Sequence, residues 1–599
     1  MDAFFSEVGW QGIFVLCLLV ITLFFLIKEI LPIEITLFSA GVIPVILGIT
    51  PVDKFFKSIA NETIVTIAML FVVVKALELS GVIHLLAKKI LPKTDNCQPI
   101  YLLGFPGISF FSAFFNNTPI VMMIVPIIRQ WCLDKKINPS KFLMPVSFVT
   151  ILGGMCTLIG TSTNLIVNGL LSEHFGYSLK FFEIGKVGVI CAVIGISFII
   201  LFSKYLVPSR VDPALNLSKE MQKAVVEFIV ENSEFAGKTV REIDEKFFQG
   251  QCSILEVIRG GSTTHAPTSQ MVLKENDHMI ILGDINKIAK LHTINGLKSV
   301  ADPKFKFDHI ASHYFEYTIP ANSNLVGRSL KGIKFRTRYG GSVFAIYREE
   351  KYFYGKIKDQ ILKAGDVLLV LSSKEHKEKK TIDPKEVFSL SPNIEIPIFS
   401  FTKAFLIGSI MVVLILLAIF YTSMMIASIA AAILAIALKL VSPKSAVRSV
   451  NWNLLITIIG GLALSSALEE TKIASYLSKI IFPFIGKNPH VIVAIVFIIT
   501  TILTELITNT AAVLIVFPIF FDLFKEMGMV TTDAFIAMSI TIAIAGSCSF
   551  LTPVGYQTNT IVYGPGGYHY TDFFRLGLPL NLIILFVCST FIPLIWSFY

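Results

Sequence analysis

The sequence predicts a polytopic α-helical membrane protein whose two halves repeat each other, with a soluble α/β region inserted between them. Three observations predict it. Of 599 residues, 54% are hydrophobic and 16% charged, with a mean hydropathy of +0.72. Many apolar runs reach the roughly 20 residues that a bilayer-spanning helix needs. And two polar stretches recur, each in the middle of an apolar segment. They are Phe114-Phe115-Asn116-Asn117-Thr118-Pro119 and Leu506-Ile507-Thr508-Asn509-Thr510-Ala511, each followed by a further proline, Pro126 and Pro518.

The first half, 1–207, opens with spans at 11–31, 33–50 and 61–84. Segment 98–131 is apolar but interrupted by Asn116-Asn117-Thr118-Pro119, so each arm is short for a crossing. Basic residues flank it on both sides: Lys88, Lys89 and Lys93 before, Lys135, Lys136 and Lys141 after. That pattern favours a re-entrant helical hairpin. A span at 142–171 is broken by Gly160-Thr161-Ser162-Thr163-Asn164, and 185–207 closes the half.

Segment 208–398 carries about half of the Lys and Arg residues. Short apolar runs, Met279–Leu282 and Val367–Leu371, alternate with turn residues, which reads as strands. Asn232–Thr239 matches Asn322–Ser329, and Leu273–Asp277 matches Leu362–Asp366. Two tandem α/β modules are expected, at 208–300 and 301–398.

The second half, 399–599, repeats the first. Spans at 402–420, 424–441 and 452–471 precede a hairpin at 489–526, a broken span at 533–563 and a last span at 576–598. Ile456-Thr457 and Ala467-Leu468-Glu469 echo Ile64-Val65-Thr66 and Ala76-Leu77-Glu78. With the N-terminus outside, the basic loops and the insert fall on the cytoplasmic side. An odd number of crossings per half inverts the second half. Paired broken segments in inverted halves point to a transport site at the bilayer midplane.

Polar backbone at membrane depth is costly unless it lines a cavity or a site. Ser112 lies one turn before Asn116, and Thr504 one turn before Thr508. Thr157, Gly160 and Asn164 mark the first broken span; Thr552, Gly555 and Asn559 mark the second. Hydroxyls, amides and helix-end carbonyls suit Na⁺, and helix-start N–H groups suit an anion. These motifs contain no Arg, Lys or His, so an anion here would be held by dipoles and co-bound cations. Lys75 with Glu78 reads as a structural pair, and Glu505 as an interfacial or scaffold carboxylate; the sharper reading of each is an ion relay. The charge of +9 is loop and insert charge, not a nucleic-acid signal. The eight cysteines show no metal or disulfide spacing. No nucleophile–base constellation appears, so an enzyme is not expected. A channel is disfavoured because no Thr-Val-Gly-Tyr-Gly filter is present.

The paired hairpin motifs resemble the Ser-Asn-Thr motifs of the divalent anion:sodium symporter (DASS) family. The run Ser547-x-x-Phe550-x-x-Pro553-x-Gly555-x-x-x-Asn559-x-Ile561-Val562 matches that family's late signature. The resemblance spans both membrane halves and implies a homodimer with a scaffold and a moving elevator domain. It implies two Na⁺ sites, one with Ser112, Asn117, Thr157 and Gly160, the other with Thr504, Asn509 and Thr552. We count Asn164 as a metal-site residue with the first set, and Gly555 and Asn559 with the second. Asn116, Thr118, Thr508, Thr510 and Pro553 would face the substrate with Asn117 and Asn509; we add Thr161 to that face.

Asn116 and Thr508 stand where the family has serines. Pro-x-Gly-Tyr-Gln-Thr-Asn with Tyr563-Gly564-Pro565-Gly566-Gly567-Tyr568 resembles the sulfate-carrying branch, and 208–398 resembles its tandem TrkA C-terminal (RCK-C) domains. The resemblance thus implies Na⁺-coupled symport of sulfate or a similar small inorganic dianion across the cell membrane, with a di- or tricarboxylate as the alternative. Lys334, Arg336 and Arg338 beside Gly340-Gly341 are the candidate site for an anionic effector, against the plainer reading of a solvated basic strand. Membrane lipid is the expected surrounding.

Overall fold

The computed structural model describes the chain except residues 1, 29, 83–97, 211–224, 232–233, 250–251, 261, 266, 284–290, 292–296, 301–313, 321–322, 334, 340, 349–350, 354–356, 373–385, 390–398, 421–422 and 478–485. Lys88, Lys89, Lys93, Lys334 and Gly340 therefore lie outside the described residues.

The first half contains α1 (Asp2–Lys28), α2 (Ile33–Ile46), α3 (Val52–Ile59) and α4 (Glu62–Ser80), followed by α5 (Phe105–Ser112) and α6 (Asn117–Asp134). Then come α7 (Ser140–Gly154), α8 (Ser162–Phe175) and α9 (Gly185–Leu206). The second half runs α10 (Phe401–Phe420), α11 (Met424–Ala437), α12 (Pro443–Ser449), α13 (Trp452–Glu470), α14 (Pro489–Leu506), α15 (Asn509–Glu526), α16 (Thr532–Ser547), α17 (Gln557–Tyr563) and α18 (Tyr570–Ile595). Among the described residues, seven helical stretches are long and apolar enough to cross a membrane. The two short helices α3 and α12 were not expected from hydropathy. Each lies between the second and third long helix of its half.

The hairpin tips break where polar residues can cap. Asn116 is extended (ψ 136°) and its side chain accepts from the Thr118 N–H. Thr508 is extended (ψ 151°) and accepts from the Ala511 N–H. An oxygen-bearing residue at this position satisfies one of the orphan donors of a helix start, which stops the preceding helix and begins the next.

Packing repeats between the halves. Helix α2 packs on α13, and its counterpart α11 packs on α4. Helix α5 packs on α7, and α14 on α16; α6 packs on α7, and α15 on α16. Helix α18, at 26 residues, is about 39 Å long at 1.5 Å per residue and serves as a ruler. Its first turns meet the start of α7: the Met144 N–H donates to the Tyr568 hydroxyl at 2.9 Å, and Arg210 pairs with Asp572 at 3.2 Å. Its last turns meet the base of the other hairpin: His490 Nδ1 lies 2.7 Å from the Ser589 carbonyl, and Thr531 bonds the Ser597 carbonyl. The start of α7 and the start of α14 therefore lie near opposite ends of α18.

The insert contains two five-stranded antiparallel sheets. The first holds β1 (Val225–Val230), β2 (Cys252–Arg259), β3 (Ser262–His265), β4 (His278–Gly283) and β5 (Leu297–Ser299), in the order β3-β2-β4-β1-β5. The second holds β6 (Tyr314–Thr318), β7 (Gly341–Arg348), β8 (Lys351–Phe353), β9 (Val367–Ser372) and β10 (Phe388–Ser389), in the order β10-β6-β9-β7-β8. That is one topology used twice, down to a register shift at Ile254/Glu256 and again at Val343/Ala345. Each sheet has its own apolar core on one face. Residues of the other face, including Leu282, Tyr347 and Val367, join the core of the helical bundle.

Candidate functional site

The first hairpin tip and the first broken helix meet in one buried network. The Ser112 hydroxyl lies 2.7 Å from Asn117 Oδ1 and 2.7 Å from the Thr150 carbonyl. Asn117 Nδ2 donates to the Tyr556 hydroxyl at 2.9 Å, and that hydroxyl lies 3.3 Å from Thr161 Oγ1. The Thr118 hydroxyl donates to Gln557 Oε1 at 3.1 Å. The Thr157 hydroxyl bonds the Ala113 carbonyl. Asn164 Nδ2 bridges the carbonyls of Gly154 (3.1 Å) and Thr157 (2.8 Å), which braces the break between α7 and α8. Gly160 has room only for hydrogen: a Cβ would lie 2.6 Å from the Gly154 carbonyl oxygen.

The second half repeats this arrangement. The Thr504 hydroxyl donates to the Gly546 carbonyl at 3.1 Å and lies 3.3 Å from Ser549 Oγ. The Ser549 hydroxyl donates to Asn509 Oδ1 at 3.0 Å. Asn559 Nδ2 bridges the carbonyls of Ser549 (2.7 Å) and Thr552 (3.1 Å), just as Asn164 does in the first half. The halves are tied together by Ser147, whose hydroxyl lies 2.7 Å from Asn559 Oδ1 and 2.8 Å from Thr558 Oγ1.

Most of the expected residues fall in this network, and a few do not. Asn116 caps α6 and lines a small apolar cleft with Phe114, Ser162 and residues of α4. Thr508 caps α15. Thr510 is half-buried, and Pro553 is buried with its carbonyl accepting from the Thr560 hydroxyl. Lys75 and Glu78 form the expected ion pair, at 2.8 Å.

Glu505 requires a correction. The sequence reading favoured a scaffold position. Instead its carboxylate enters the second break, where Oε1 accepts the Leu551 N–H and Oε2 the Thr552 hydroxyl, both at 2.7 Å. A Cβ on Gly555 would lie 2.7 Å from Oε2. The basic stretch of the insert also differs from expectation. Phe335–Tyr339 is a short helix rather than a strand, and Arg338 is paired with Glu386.

Two buried atoms bear on what the site can hold. Asn164 Oδ1 and Asn509 Nδ2 have no hydrogen-bond partner among the described residues. Buried amide atoms normally have partners. An orphan acceptor beside hydroxyls and carbonyls fits a hard cation, and an orphan donor beside the start of an 18-residue helix fits an anion. Among the described residues, no Lys, Arg or His side chain bonds to either network. Tyr556, Gln557, Ser549 and Ser147 were missed as site residues. Tyr556 and Gln557 stood inside a quoted motif, and that was their only signal.

A helical bundle around paired polar breaks, braced by asparagine amides, hydroxyls and the Glu505 carboxylate, fits a membrane transport protein. A family profile described as citrate transporter matches residues 21–426 and 412–599, and the chain belongs to that family. It is similar to an uncharacterized transporter of Synechocystis, at 28% identity over 97% of each chain. An uncharacterized transporter of Escherichia coli is 24% identical, covering 92% of this chain and 93% of its own. Sodium/sulfate cotransporter 2 of Chlamydomonas reinhardtii is 22% identical, covering 90% of this chain and 84% of its own.

Proposed function

We propose that the protein is a Na⁺-coupled symporter of sulfate or a similar tetrahedral dianion. The observation that carries this reading is the pair of matched networks of hydroxyls, amides and carbonyls, free of basic side chains among the described residues and ending in a buried donor at Asn509 with no partner among them. A fully deprotonated oxyanion offers only acceptors. It therefore suits Asn509 Nδ2 and the α15 N-terminus, with Thr118, Thr161, Thr508 and Thr510 as further hydroxyls. Na⁺ as the co-transported ion would be held by the oxygens of Ser112, Asn117, Thr157 and Asn164 in one half. Thr504, Asn509, Thr552 and Glu505 would hold it in the other.

In this reading the halves are inverted repeats, the two hairpins are re-entrant, and the hairpin-bearing part moves as an elevator within a homodimer of the cell membrane. The insert is a cytoplasmic pair of RCK-C-like regulatory modules. One relative, a sodium/sulfate cotransporter, agrees with the substrate class. The family description favours a second reading, a tricarboxylate.

Uptake of labelled sulfate into proteoliposomes decides between them. Sulfate uptake driven by an inward Na⁺ gradient and resistant to excess citrate and succinate is expected. Uptake indifferent to Na⁺ rejects the coupling, and citrate or succinate uptake in place of sulfate rejects the substrate.

A further inference from the structure

The second insert module is docked on the helical bundle by features that the first module lacks. Arg129 of α6 pairs with Glu316 of β6 at 2.7 Å, with the side chains only 5% and 8% exposed. At the matching position of the first module, Glu227 pairs with His278 of its own sheet instead, at 2.6 Å. The turn before β9 presses on the end of α17. A Cβ on Gly365 would lie 2.5 Å from the Tyr563 ring, and a Cβ on Gly564 2.5 Å from the Gly365 carbonyl oxygen. The matching turn of the first module has Asn276, also at positive φ (66°, against 83° at Gly365). Asn tolerates this backbone region, so the turn alone does not demand glycine. The approach of Tyr563 does.

Both contacts fall on helices that build the first-half network. Helix α6 starts at Asn117, whose amide bonds Tyr556, and ends past Arg129. Helix α17 starts at Gln557, which bonds Thr118, and ends at Tyr563. One module therefore grips the far ends of two packed helices whose near ends meet at the hairpin tip. We propose that the second module is a latch on the transport site: the Arg129–Glu316 pair and the Gly365–Tyr563 contact hold α6 against α17. Any ligand or partner that shifts this module would then loosen or tighten the Asn117–Tyr556 and Thr118–Gln557 bonds. The inference rests on reading that network as the transport site.

Hydrogen–deuterium exchange on the full-length protein in nanodiscs tests it without any substrate, so the outcome is independent of the sulfate uptake assay. Amides 113–118 and 556–560 are followed in Glu316→Gln, Gly365→Ala and Glu227→Gln. Breaking the latch should speed their exchange roughly ten-fold in the first two variants, because local opening sets the rate. Glu227→Gln, which breaks the equivalent pair of the first module and touches neither Arg129 nor Tyr563, should leave them at the wild-type rate. Removing one partner of a buried ion pair is strongly destabilising; if Glu316→Gln does not fold, Gly365→Ala alone decides. Unchanged exchange in Gly365→Ala, or equal acceleration in Glu227→Gln, overturns the latch.

Discussion

The two halves of the site share one plan and differ in charge. In the first half the asparagine amide is held at both ends, Oδ1 by Ser112 and Nδ2 by Tyr556. In the second half Oδ1 is held by Ser549 while Nδ2 has no partner among the described residues. The first break contains only neutral groups, whereas the second contains the Glu505 carboxylate, held by Leu551 and Thr552. A near-repeat of backbone and hydroxyl positions thus supports two electrostatic characters. The neutral half depends on fixed dipoles. The second half adds a carboxyl group that can bind a cation, next to the Asn509 amide, whose Nδ2 has no partner among the described residues.

Substitutions can break this comparison at its strongest point. Asn117→Ala and Asn509→Ala should each abolish Na⁺-driven uptake in proteoliposomes while leaving the protein monodisperse on size exclusion. Normal uptake by either variant removes that half from the site. Glu505→Gln keeps the shape and removes the charge. Hydrogen bonds to a charged group contribute about 1.5–3 kcal/mol, so the Na⁺ concentration for half-maximal uptake should rise roughly ten- to a hundred-fold. A Na⁺ dependence equal to wild type would show that the charge difference has no role in coupling. Tyr556→Phe should act more mildly. It frees Asn117 Nδ2 at a cost of about 1–3 kcal/mol, read as a KM for the anion raised about ten-fold with little change in Na⁺ dependence. If Tyr556→Phe shifted the Na⁺ dependence as much as Glu505→Gln, the contrast between the halves would fail.

Much of this was legible in the sequence, for a physical reason. Polar residues inside apolar runs are conspicuous, so the breaks at 112–118, 157–164, 504–510 and 552–559 stood out, and their recurrence paired them. What stayed hidden depends on contacts between distant residues. Glu505 sits on an apolar helix and looks like an interfacial charge until the fold brings Thr552 to it. Ser147 and Ser549 are ordinary helix and loop serines until Asn559 and Asn509 meet them. The short helices α3 and α12 escaped hydropathy because charges, Asp53, Lys54 and Lys57 in one and Lys444 and Arg448 in the other, break any apolar run. Arg129 gave no signal, since its partner lies in a different segment of the chain.

The insert modules offer the same kind of contrast, with a smaller effect. Each contains an Arg–Asp pair at the matching place: Arg259 with Asp277, and Arg348 with Asp366, each at 2.6 Å. At Asp277, burial pushes the carboxyl up, but Arg259 and the Lys274 amide outweigh it and hold the group below its usual range. At Asp366, burial wins against the same two kinds of partner and pushes the carboxyl up. The turn before Asp366 is the one that Tyr563 approaches, which is consistent with the greater burial of Asp366. A carboxyl lowered by folding stabilises the fold above its unfolded value, and that contribution is lost as pH falls through the folded value. A carboxyl raised by folding has the opposite sign: the fold is favoured by protonation, and that contribution is lost as pH rises past the unfolded value. Acidification from about pH 5 to about pH 3 should therefore loosen the first module before the second. Pepsin cleavage followed by mass spectrometry should find cuts in 252–283 appearing about three-fold faster than cuts in 341–372 as the pH drops. Cuts appearing in the reverse order would mean that docking on the bundle does not set the protonation of Asp366.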